Sequence, residues 1–121
     1  MLTHINFQSL TVEDQDRAVA FYRDMLGMRV HTDAPYMGDA RWIFMEIPGA
    51  KTKLELSKGT PQKSETPQLI LATEDVDSAC AALHAKGVAL LKGPEDAPWD
   101  PATRWALLHD SEGNLVMLQT V

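Results

Sequence analysis

Cysteine is almost missing from this chain: Cys80 is the one thiol in 121 residues. That excludes an internal disulfide framework and fits a reducing compartment. Long apolar runs are missing too. No stretch approaches the about 18 consecutive apolar residues of a membrane span, and no signal-peptide or lipidation pattern occurs. The expectation is a cytoplasmic protein that does not engage a membrane. Positive charge is in short supply, with 11 Lys and Arg against 17 Asp and Glu and a net charge of −6. Nucleic acid and anionic lipid therefore have no electrostatic handle. Glycine-rich phosphate loops, CxxC pairs and Ser-His-Asp arrangements are absent, and no histidine has a partner at a metal-binding spacing. What remains is an ordinary globular composition, 45% hydrophobic and 23% charged, at a length suited to one domain.

What the chain does have is a repetition. Residues 11–20 read TVEDQDRAVA and residues 72–81 read ATEDVDSACA, with five of ten positions identical at a shift of 61. Ordinary composition gives roughly one such match. Asp14 and Asp75 stand where helix N-caps belong, and Asp16 falls in a first turn, where a carboxylate suits the helix dipole. Ala18, Tyr22, Met25 and Leu26 mark one apolar helical face, closed by Gly27; Val76, Ala79, Cys80 and Leu83 mark a second, closed by Gly87. Strands are expected at HINFQSLTV, MRVHTD, DARWIFMEI and TKLELSK, then at PQLILAT, VALLK, TRWALLHD and LVMLQTV. GPEDAPWDPA reads as a long loop and DSEGN as a turn. Arg41-Trp42 recurs as Arg104-Trp105 at a shift of 63. Each half therefore reads β-α-β-β-β, with module one at residues 1–57, a polar linker at 58–67 and module two at 68–121. A unit of this kind leaves one sheet face bare, and two related copies can bury it together.

The stretch INFQSLTVEDQDRAVAFYRDMLGMRV, with its xDxxRAxxFYxxxLGM pattern, is one signature; the closing D-x-x-G-N-L-x-x-L at Asp110, Gly113, Asn114, Leu115 and Leu118 is another. Together they resemble the vicinal oxygen chelate proteins, the superfamily of glyoxalase I, bleomycin-resistance proteins and extradiol dioxygenases. The resemblance covers essentially the whole chain. It implies an α+β fold of two tandem βαβββ modules, a mixed sheet curled into a cup with helices outside, and commonly a homodimer. It also implies four metal-ligand positions, one on the first and one on the last strand of each module. Here those positions hold Phe7, Glu55, Gln68 and Met117. A catalytic divalent ion wants three or more imidazole or carboxylate ligands. A phenyl ring, one carboxylate, one amide and one thioether make a poor set, so neither a metal nor another cofactor is expected.

Glu55 is the sharpest candidate for chemistry. Flanked by Leu54 and Leu56, it alternates away from the core between helix and sheet. In a cup, an apolar setting would raise its pKa and suit it to act as a general base; on a rim it is a solvated strand glutamate. Phe7, Trp42, Gln68, Trp105 and Met117 join it as candidate ligand-binding residues, a pocket for a flat or hydrophobic small molecule. For any single tryptophan, packing in the core or a dimer interface is the plainer reading. Because Arg41 and Arg104 alternate with those tryptophans, one of each pair faces the cup, and inward arginines would suit an anion. Trp99 rides on the proline-rich loop and could cover the mouth, His109 could reach the rim as an acid or base or merely cap a turn, and Cys80 reads as a small buried hydrophobe. The function expected is metal-independent binding of a small organic ligand, as in the bleomycin-resistance branch. The alternative is a glyoxalase-like lyase or isomerase with Glu55 as base and a divalent metal weakly held at Glu55 and Gln68.

Overall fold

A computed structural model of the chain describes residues 1–120, and Val121, the end of the last expected strand, lies outside them. The chain forms two compact units, Met1–Gln62 and Lys63–Val121. The first runs β1 (Phe7–Val12), α1 (Gln15–Ala20), β2 (Arg29–Pro35), β3 (Arg41–Glu46) and β4 (Lys53–Lys58). Its sheet has the order β1-β4-β3-β2, with β1 parallel to β4 and the other pairs antiparallel. The second runs β5 (Leu69–Ala72), α2 (Val76–Ala85), β6 (Leu90–Ala97), β7 (Asp100–His109) and β8 (Leu115–Gln119). Its sheet repeats the plan as β5-β8-β7-β6, with β5 parallel to β8. The α+β class and the paired βαβββ modules are thus as expected.

Strand alternation explains both cores. Leu10 and Val12 of β1, Ile43 and Met45 of β3, and Leu54 and Leu56 of β4 are buried, as are Ala18, Val19 and Tyr22 of the first helix, which lies against β3 and β4. In the second unit Ala106 and Leu108 of β7 and Val116 and Leu118 of β8 play that part, under Val76, Cys80 and Leu83 of α2.

Two sequence expectations are corrected. The first helix is α-helical only to Ala20, and Phe21–Met25 continues it as a π-helical turn in which the Leu26 N–H reaches the Phe21 carbonyl at 3.3 Å. The wider turn rotates the end of the helix, so Met25 and Leu26 are only half-buried. GPEDAPWDPA is not a loop. β6 continues through Ala97 and β7 begins at Asp100, leaving Pro98 and Trp99 as the turn. The prolines are tolerated because the β6–β7 ladder is broken by register shifts between Lys92 and Glu95 and again between Asp96 and Ala97. Gly93 belongs to this irregularity. Its φ is +81°, and a Cβ there would stand 2.5 Å from the Trp105 carbonyl oxygen.

The repeated acidic stretch has a repeated task. Asp14 caps α1 by accepting from the Arg17 N–H at 3.0 Å, and Asp75 caps α2 by accepting from the Ser78 N–H at 3.0 Å. Asp16 and Asp77 bind arginine instead. Arg41 donates to Asp16 at 2.7 Å and to Asp33 of β2 at 2.9 Å. Arg104 donates to Asp77 at 2.8 Å and to Asp96 of β6 at 3.2 Å. Both arginines therefore lie on the helix side of their sheets, and Trp42 and Trp105 take the opposite face. Module one adds a buried amide: Gln15 donates to the carbonyls of Arg41 (2.8 Å) and Leu56 (2.9 Å) and accepts from the Arg41 N–H (3.0 Å).

Substitutions at the helix starts test these contacts. Gln15→Ala leaves buried backbone groups of β3 and β4 without their partner and should lower unfolding free energy by about 3 kcal/mol, measured by urea denaturation. A second test concerns acid. Arg41 holds the Asp16 carboxyl below its ordinary 3.8, and Arg104 does the same for Asp77. A depressed folded-state pKa adds stability that is present above pH 3.8 and lost as pH falls through the folded-state value. The double variant Asp16→Asn, Asp77→Asn should therefore be less stable at neutral pH, and its urea midpoint should fall less than that of the parent between about pH 4 and pH 2.

Candidate functional site

In module one, the sheet face turned away from α1 carries Phe7 and Ser9 from β1, Glu55 and Ser57 from β4, and Trp42 and Phe44 from β3. The register makes these neighbours: Ser9 lies beside Glu55 across the parallel pair, and Phe44 lies beside Glu55 across the antiparallel one. A hollow of about 390 Å³ opens there, lined by Phe7, Ser9, Tyr36, Trp42, Glu55 and Ser57 among others. Its rings form a continuous row. Phe7 meets Phe44 edge-on across β4 at 5.1 Å, Phe44 stacks with Trp42 at 6.4 Å, and Trp42 meets Tyr36 at 4.4 Å. Phe7 and Trp42 remain 41% and 40% exposed.

Glu55 is 8% exposed and accepts a hydrogen bond of 2.5 Å from the Ser9 hydroxyl. No basic side chain pairs with it among the described residues. Arg41 is engaged by Asp16 and Asp33, Lys58 by Asp39, and Lys53, on the same face of β4, makes no ion pair with it. Trp42 turns its indole to the hollow; Arg41 and Lys58 also line it, each already held by carboxylates.

Module two holds the other candidates apart from this constellation. Met117 and Trp105 pack with Ala97 and Leu107 into a small apolar cluster on the corresponding face of its sheet. Lys92 places its ammonium 5.3 Å over the Trp105 ring, and Trp99, at the tip of the β6–β7 hairpin, stands 6.2 Å from it. Trp105 is 7% exposed, and its Nε1–H has no hydrogen-bond partner among the described residues. The Gln68 side-chain oxygen accepts from the Leu115 N–H at 2.8 Å, which ties β5 to β8. His109 is exposed at the end of β7, and Cys80 is buried beneath α2, where burial pushes its thiol pKa up.

These positions do not fit a divalent ion. Module one offers a single carboxylate beside a phenyl ring, and module two offers an amide oxygen already engaged and a soft thioether inside an apolar cluster. No group of three or more His, Cys, Asp or Glu residues with metal-binding geometry exists among the described residues.

Sequence reasoning missed Ser9, Ser57, Phe44 and Tyr36. The first three were within reach, since each is two residues from a nominated side chain on the same strand and so shares its face. Tyr36 was not, because its position depends on the turn between β2 and β3.

A family model described as the Glyoxalase/Bleomycin resistance protein/Dioxygenase superfamily matches residues 2–118. Among solved structures, TnmS3, an antibiotic binding protein from Streptomyces sp. CB03234, is 34% identical with a TM-score of 0.85 over 98% of this chain and 96% of its own. A glyoxalase/bleomycin resistance protein/dioxygenase superfamily member from Sphaerobacter thermophilus DSM 20745 is 27% identical with a TM-score of 0.86, over 99% and 98% of the two chains. The uncharacterized protein YetH of Bacillus subtilis is 25% identical across 98% of this chain and 99% of its own.

The Trp105 cluster yields a stability test. Trp105→Phe removes a buried donor that has no protein partner while keeping most of the aromatic bulk. It should change unfolding free energy by less than about 1 kcal/mol, whereas Trp105→Ala should cost about 3–5 kcal/mol, both read from urea titrations.

Proposed function

Since the chain belongs to the glyoxalase/bleomycin resistance protein/dioxygenase superfamily, we propose that it binds a small organic molecule without a metal and releases it unchanged. The observation that carries this reading is the hollow on module one, about 390 Å³ in volume and walled by Phe7, Trp42 and Tyr36. That is the size and lining of a small-molecule site, mainly apolar with a few placed polar groups. The donor set supports the metal-free part, because one carboxylate with aromatic neighbours cannot organise a Lewis-acid centre. The likeness to TnmS3, itself an antibiotic binding protein, supports sequestration of an organic guest. In this reading Phe7 and Trp42 supply contact area, and Ser9 fixes the orientation of the Glu55 carboxylate. Nothing about Glu55 requires proton transfer. Its hydroxyl partner and its burial suit it to hold a polar group of the guest.

A screen of small aromatic and heteroaromatic compounds, read by thermal shift before and after chelator treatment, tests this. A true ligand should stabilise the protein by about 2.7 kcal/mol at 100 times its Kd, with no change after chelation. Trp42→Ala should weaken binding about tenfold or more, as truncation of a central aromatic contact does. Recovery of the ligand in altered form, with conversion abolished by Glu55→Gln, would replace this reading with that of an enzyme.

A further inference from the structure

Resting on that reading, we infer that the guest of module one carries a cationic nitrogen, an ammonium or amidinium attached to an apolar or aromatic body, seated against Glu55. Three independent features of the hollow converge on this. The first is a nearly fully buried carboxylate with one hydroxyl partner and no ion pair. A carboxylate in that setting has limited room for water and lone pairs left to fill, which a charge-assisted N–H donor would do.

The second is the row of rings. Phe7, Phe44, Trp42 and Tyr36 follow one another at centroid distances of 5.1, 6.4 and 4.4 Å. Their faces carry the negative side of the ring quadrupole, which attracts a cation and repels an anion. A carboxylate beside such a row is doubly selective, since both parts favour positive charge and neither welcomes negative.

The third is the fate of the competing charges. The two basic residues that line the hollow are taken: Arg41 by Asp16 and Asp33, and Lys58 by Asp39. Both of these cations have acidic partners, and Lys53, two residues along β4 on the same face, makes no ion pair with Glu55. Ser9 can donate a single proton and satisfies only part of the carboxylate.

Three probes of one shape and different charge test the inference: 2-naphthylmethylamine, 2-naphthylmethanol and 2-naphthoate, titrated into the full chain at neutral pH by calorimetry. The amine should bind about tenfold or more tighter than the alcohol, and the carboxylate should bind weakest. In Glu55→Gln, an isosteric change, the amine's advantage over the alcohol should disappear. Equal binding of all three would overturn the cationic guest yet leave small-molecule binding standing. An amine preference that survives in Glu55→Gln would also overturn it, assigning the preference to the net charge of −6 rather than to this site. Failure of all three probes, together with an empty compound screen, would bring down both this inference and the reading beneath it.

Discussion

Each module depends on one guanidinium shared by two aspartates. Arg41 joins the first turn of α1 to β2 through Asp16 and Asp33, and Arg104 joins the first turn of α2 to β6 through Asp77 and Asp96. The link does more than hold a helix down. A strand turns successive side chains to opposite faces, so fixing the arginine on the helix side fixes the following tryptophan on the other. The choice of which side chains take the face away from the helix is thereby made on the far side of the sheet. The two modules then secure the same backbone N–H by different means. Gln15, from the helix, accepts from Arg41, and Thr120, from the chain after β8, accepts from Arg104 at 2.8 Å. The counterpart of Gln15 in module two is Val76, buried and apolar.

Much of this was legible in the sequence because it rests on local periodicity. Alternation in RWIFME and KLELS places Ile43, Met45, Leu54 and Leu56 on one face and Trp42 and Glu55 on the other, whatever surrounds them. The aspartate caps were equally plain. What escaped depends on pairing across strands. Asp33 and Asp96 look like ordinary surface charges until the register brings them beside Arg41 and Arg104. The β6–β7 hairpin reads as a loop because three prolines and a glycine normally forbid a ladder; here shifts of register put those residues where no ladder bond is required. The π-helical turn at Phe21–Met25 is invisible to a pattern built on 3.6 residues per turn.

Duplication kept the scaffold and let the floors diverge. Structurally equivalent positions carry Phe7 and Gln68, Ser9 and Ile70, Phe44 and Leu107, Glu55 and Met117. In module two the substitutions produce a closed apolar cluster in which Met117 and Leu107 pack around Trp105, and the Gln68 amide is absorbed into strand pairing. In module one they leave rings half exposed around a carboxylate. Similar frames thus end in a closed cluster around Trp105 in one module and in half-exposed rings around a carboxylate in the other.

That difference bears on what the carboxylate is for. Glu55 lies buried beside aromatic rings with a serine hydroxyl as its hydrogen-bond partner. Module two shows that the same strand position accepts a thioether and packs tightly, so the fold imposes no need for an acid there. An acid at this position is therefore not required by the architecture. A buried acid that the architecture does not need, set inside a hollow large enough for a guest, supports the binding role proposed for this surface.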